Sequence, residues 1–64
     1  MSITKRDIRI IKMLSQGKTA QKIGELMRMS HRTVEGEALK IKKKLRAANV
    51  AHLVAKSLRT KLIK

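Results

Sequence analysis

Four capping side chains, Thr4, Thr19, Ser30 and Asn49, divide a chain of 64 residues that contains no proline. Each is of a type favoured at a helix N-terminus, where its oxygen can accept a backbone N–H that the helix leaves unpaired. After each cap, apolar residues recur at helical spacing. This pattern predicts an all-α chain with helices at about 5–16, 20–28, 31–46 and 50–62. No strand, internal repeat or linker is expected, and the four helices are expected to form a single domain over 1–64.

The local signals agree with this division. In "TKRD", Thr4 precedes Asp7 by three residues, as in a capping box. Ile10, Ile11 and Leu14 then share a face, and Gly17 stands where a left-handed residue would close the helix. After Thr19, Ala20, Ile23 and Met27 face inward. Gly24 interrupts that helix at a cost of about 1 kcal/mol relative to alanine, which a tight helix crossing would justify. After Ser30, the spacing of Val34, Ala38, Ile41 and Leu45 is 4, 3 and 4 residues, a core stripe. After Asn49, Leu53, Val54, Ser57 and Leu58 form an apolar or small face that Leu62 and Ile63 extend. The second and third helices, one short and one longer and more basic, with a brief turn between them, make a helix-turn-helix pattern.

Size and composition exclude several functions. A core this small cannot enclose a large catalytic cleft. No cysteine is present, and His31 and His52 are too few and too distant to suggest zinc. No nucleophile–base pair, metal cluster or phosphate loop is present, so neither an enzyme nor a metal or cofactor is expected. No apolar run approaches the ~20 residues that span a bilayer. Lys5 and Arg6 precede any apolar stretch, so no signal peptide is read, and a cytoplasmic, nucleoid-associated protein is expected. The net charge of +13 calls for a polyanion. Without Phe, Tyr or Trp there is no ring on which to stack single-stranded bases. Double-stranded DNA, bound through phosphates and grooves, fits better.

"ITKRD" at 3–7, "II" at 10–11, "GKT" at 17–19, Ile23, "MSHRTVE" at 29–35, Ile41, "KKL" at 43–45, Asn49 and "LV" at 53–54 follow one another at characteristic intervals. Together they resemble the LuxR/GerE-type helix-turn-helix domain. "SHRTVE" followed by "HLVAKSL" is most similar to the FixJ-like response-regulator branch. The resemblance covers about residues 3–58. It implies a four-helix DNA-binding fold, a third helix that enters the major groove and a fourth that commonly supports dimers. Carried over by position, it implies that Ser30 caps the recognition helix, Thr33 approaches a phosphate, and Val34 and Ile41 hold the helix to the core. It further implies that Glu35, Gly36 and Leu39 face bases, and that Lys43 and Lys44 lie near the backbone.

The chain also departs from the family pattern. Glu37 replaces a usual histidine, Lys40 a usual asparagine, and Ala20-Gln21 a frequent Asn-Lys pair. Arg46 stands where a glycine usually ends the third helix, so that helix is expected to run on or to end at a strained turn. Members usually carry a sensor or receiver domain before the motif, and none lies within these 64 residues.

With Val34 at the centre of the buried face and about 100° per residue, Arg32, Gly36, Leu39 and Lys43 fall opposite it. Glu35 and Lys40 flank them. Arg32 can fork onto guanine, Glu35 can accept from cytosine N4, and Leu39 can touch a thymine methyl. Gly36 would let backbone approach DNA closely. The expected base-contacting residues are therefore Arg32, Glu35, Gly36 and Leu39. The expected phosphate contacts are Thr33, Lys40, Lys42, Lys43, Lys44 and Arg46.

Plainer roles compete at several positions. Glu35 could pair with Arg32, Glu37 with Lys40, and Leu39 could meet a protein. Met13, Met27 and Met29 read as core filler, and the two histidines as surface or cap residues. The expected function is a small sequence-specific bacterial transcription regulator that binds duplex DNA, as a possible homodimer through Leu53, Val54, Ser57 and Leu58 of helix four. The alternative is an adaptor or anti-activator that uses the same fold to bind a protein partner. Membrane action is not expected, because the caps and distinct core faces describe a folded domain.

Overall fold

The computed structural model describes residues 3–63. It contains four helices, α1 (Lys5–Ser15), α2 (Ala20–Met27), α3 (His31–Lys44) and α4 (Val50–Arg59), and no strand among the described residues.

Each of the four capping residues holds extended backbone and accepts the amide three residues on, from Asp7, Lys22, Thr33 and His52 respectively. At α1 the capping box is complete, since the Thr4 amide also donates to Asp7 Oδ2 at 3.1 Å. At α4, His52 reaches back, its Nδ1 accepting the Ala48 amide at 3.0 Å.

The C-termini follow a second common rule. Each helix is closed by a left-handed residue: Gly17, Arg28, Arg46 and Lys61, with φ of 81°, 56°, 54° and 62°. At Arg46, the Ala47 amide donates to the Lys42 carbonyl at 2.8 Å and the Arg46 amide to the Lys43 carbonyl at 3.2 Å, the paired bonds of a Schellman ending. α3 therefore stops at a strained turn and does not run on to residue 46. α4 ends in the same way at Arg59, short of residue 62, and Leu62 donates to the Ser57 carbonyl at 2.9 Å. The reversal, and not a longer helix, returns Ile63 to the interior.

α3 is the central element. α2 and the first part of α1 rest on it, α4 rests on α1, and α1 and α2 hardly touch. The core consists of Ile10, Ile11, Ile23, Val34, Ile41, Leu53 and Ile63. Met13, Met27 and Met29 pack around it, half-buried. Gly24 is explained by the turn after α2: a Cβ there would collide with the Met29 carbonyl oxygen and stand 3.4 Å from the His31 amide nitrogen. The Met29 amide donates to the Gly24 carbonyl at 2.8 Å. The glycine thus lets the chain fold back across α2 and start α3 at once.

Candidate nucleic-acid interface

The turn at Gly24 fixes where α3 begins, and the core stripe fixes how it is rotated. Val34 and Ile41 are fully buried, with Ala38 and Leu45 half-buried between and beyond them. Arg32, Glu35, Gly36, Leu39, Lys40 and Lys43 are all exposed. Nothing lies within 4 Å of a Cβ built on Gly36, and Leu39 is 50% exposed. Arg32, Gly36, Leu39 and Lys43 thus form one outward strip, with Glu35 at its edge. Glu35 forms no ion pair with Arg32 among the described residues.

At the start of the strip, the Ser30 hydroxyl accepts the Thr33 amide at 3.1 Å, and the two hydroxyls lie 2.8 Å apart. Thr33 is exposed beside the helix N-terminus, where unpaired amides favour an anion. At the far end, Lys43 and Arg46 are exposed and Lys42 is half-buried. Lys40 is exposed but lies 3.8 Å from Glu37, which also meets Arg6 at 3.3 Å. Glu37 is therefore a structural residue that joins α3 to α1.

Two expectations are corrected by the packing. Lys44 does not present its ammonium with the other lysines: Nζ lies 3.0 Å from Oδ2 of the buried Asp7 and is held inward. Its neighbours on α3 point elsewhere because successive residues are rotated by about 100°. Leu53 and Ser57 do not form a dimer face either, since both are fully buried within the chain. The Ser57 hydroxyl is satisfied by the Leu53 carbonyl at 2.8 Å. The exposed side of α4 carries Val50, Ala51, Ala55 and Leu58, with half-buried Val54 among them. Their spacing by one and three or four residues could have revealed this second stripe, but small alanines gave it little weight beside the leucines.

Two buried or half-buried charges hold α3 in place. Burial by itself would raise the Asp7 pKa. The Thr4 amide, the Lys44 ammonium and the Thr4 hydroxyl together outweigh it and hold the carboxyl below its ordinary value. Lys56 Nζ donates to the Leu45 and Arg46 carbonyls at 2.9 and 3.1 Å, placing a cation from α4 on the carbonyl end of α3.

The profile of the "Bacterial regulatory proteins, luxR family" matches residues 1–57. The chain belongs to the LuxR family. Its α2, turn and α3 are the helix-turn-helix of a LuxR-family domain, and the family is one of transcription regulators rather than enzymes. Among the curated proteins, the chain is similar to the transcriptional activator protein BjaR1 of Bradyrhizobium diazoefficiens, with 39% identity over 61 residues. That alignment covers 95% of this chain and 25% of BjaR1, so the chain spans about a quarter of the relative's length. No solved structure matches the chain. No helix among the described residues is long and apolar enough to cross a membrane.

Proposed function

We propose that this LuxR-family chain binds duplex DNA sequence-specifically as part of a transcription regulator, with α3 in the major groove. The observation that carries the reading is the outward strip of α3, which offers a guanidinium, a carboxylate, an open glycine and an aliphatic side chain. These can address guanine, cytosine N4, the groove floor and a thymine methyl in turn. Thr33, Lys40, Lys42, Lys43 and Arg46 supply contacts to the flanking phosphates, which position the helix without reading sequence. Lys44 has no part in this, because its ammonium is engaged with Asp7. The relative's printed role as a transcriptional activator supports the same direction.

A homodimer on paired half-sites forms through the exposed side of α4, Val50, Ala51, Val54, Ala55 and Leu58. Support comes from the exposed apolar Val50 and Leu58, the latter at 50% exposure, beside Ala51 and Ala55, whose small side chains allow close helix approach. The adaptor reading rests on Leu39, whose exposure suits a protein as well as a thymine methyl.

Selection from a randomised duplex pool, at low and high salt, tests the proposal. A paired motif that survives high salt is expected, and Glu35→Ala should relax one base position within it. Binding that yields no motif and disappears with salt would reject sequence reading and leave the adaptor.

A further inference from the structure

α1 and α2 both rest on α3 but hardly touch each other. A groove of about 410 Å³ opens between them, lined by Lys5, Arg6 and Arg9 on one side and by Leu26, Met27, Arg28 and Met29 on the other. It shares no residue with the outward strip of α3. Its walls combine four cations with an apolar floor in which Leu26 is 48% exposed.

Of the four cations in this groove, Arg6 alone is paired within the chain among the described residues. The sequence holds four acids. Asp7 is bound to Lys44, Glu25 to Lys22, and Glu37 to Arg6 and Lys40. Glu35 lies at the edge of the α3 strip. Among the described residues, Lys5, Arg9 and Arg28 have no ion-pair partner.

We infer that this groove is a docking site for an acidic peptide segment of another protein, one that carries a large aliphatic side chain among its carboxylates. Carboxylates answer Lys5, Arg9 and Arg28, and the aliphatic side chain covers Leu26 against Met27 and Met29. A sugar-phosphate backbone would answer the cations but has nothing to bury against Leu26. The two methionines suit such an anchor, since unbranched thioethers adapt to irregular side chains. The docked segment would leave α3 free for DNA, so the groove serves to join the bound domain to a second protein.

The test uses the full chain labelled with ¹⁵N. The probes are a short glutamate-rich peptide with two central leucines, the same peptide with serines in their place, and duplex DNA. The leucine peptide should shift the amides of residues 5–9 and 26–29, and should bind roughly tenfold more tightly than the serine peptide. Arg9→Glu and Leu26→Ser, both at exposed positions, should each weaken it by a similar factor. Lys12→Glu makes the same charge change on α1 outside the groove and should have little effect. Equal binding of the serine peptide, or shifts confined to α3, would overturn the inference. Duplex DNA that shifts the groove amides and displaces the peptide would also overturn it, making the groove a flank of the DNA site.

Discussion

Lys44 Nζ lies 3.0 Å from Asp7 Oδ2, tying the last turn of α3 to the first turn of α1. Lys43, one residue away, is exposed. Lys44→Ala should therefore cost stability, by about 2 kcal/mol once its partial exposure and the remaining Thr4 bonds are allowed for. In a domain of this size that is a fall of roughly 10 °C in Tm. Lys43→Ala should leave Tm unchanged and lower the slope of log Kd against log salt by about one. Thermal melts and salt titrations of the two variants would expose any exchange of these roles.

Asp7 also sets an acid limit. Its folded pKa is lowered from 3.8, so the folded state holds the proton less readily than the unfolded chain. The resulting stability is complete above the unfolded value and is lost as pH falls through the lower folded one. Wild type should lose Tm between about pH 5 and pH 2 more steeply than Asp7→Asn. Parallel pH profiles followed by circular dichroism would refute this role for Asp7.

The four N-termini were legible because one side-chain oxygen decides each, and the core stripe of α3 was legible because its spacing admits one rotation. The helix ends were less so. Arg28, Arg46 and Lys61 take a conformation that sequence associates with glycine, and only the backbone bonds around them reveal it. Among the expected contacts of α3, the outward placement of Arg32, Glu35, Gly36 and Leu39 followed from periodicity. Lys44 could not be separated from Lys43, since its partner lies 37 residues away. Leu53 and Ser57 could not be separated from Val54 and Leu58 for a similar reason: which of the two apolar stripes of α4 turns inward depends on α1.

The two glycines of the helix-turn-helix should respond in opposite ways. Gly24→Ala meets the Met29 carbonyl and should destabilise, by about 1–3 kcal/mol as an overpacked site. Gly36→Ala meets nothing within 4 Å and should stabilise by about 0.5–1 kcal/mol. If Gly36→Ala also weakens duplex binding, backbone approaches DNA there. Urea denaturation with a duplex titration separates the two effects.

Arg46→Gly removes the strain of a left-handed non-glycine residue, and a gain of about 0.5–1 kcal/mol is expected, since the flexible unfolded chain offsets part of it. Lys61→Gly should behave alike in stability. Only Arg46→Gly should weaken DNA binding, because only Arg46 follows α3, the helix proposed to enter the groove. Equal losses of affinity from both variants would point to overall charge instead.

On α4, Leu53→Ala should unfold the chain at lower denaturant, costing about 2–5 kcal/mol. Leu58→Glu should leave the monomer's stability nearly unchanged while abolishing self-association. Sedimentation equilibrium that finds the same oligomeric state in wild type and Leu58→Glu would remove the dimer proposal.

The exposed positions of α3 support almost none of the fold. Arg32, Glu35, Gly36 and Leu39 project away from a core built of seven aliphatic side chains, so they can be exchanged with little effect on folding. A lineage of such domains can thus vary these four positions in a few steps without passing through unfolded intermediates. A protein engineer can randomise the same four positions on an otherwise fixed frame.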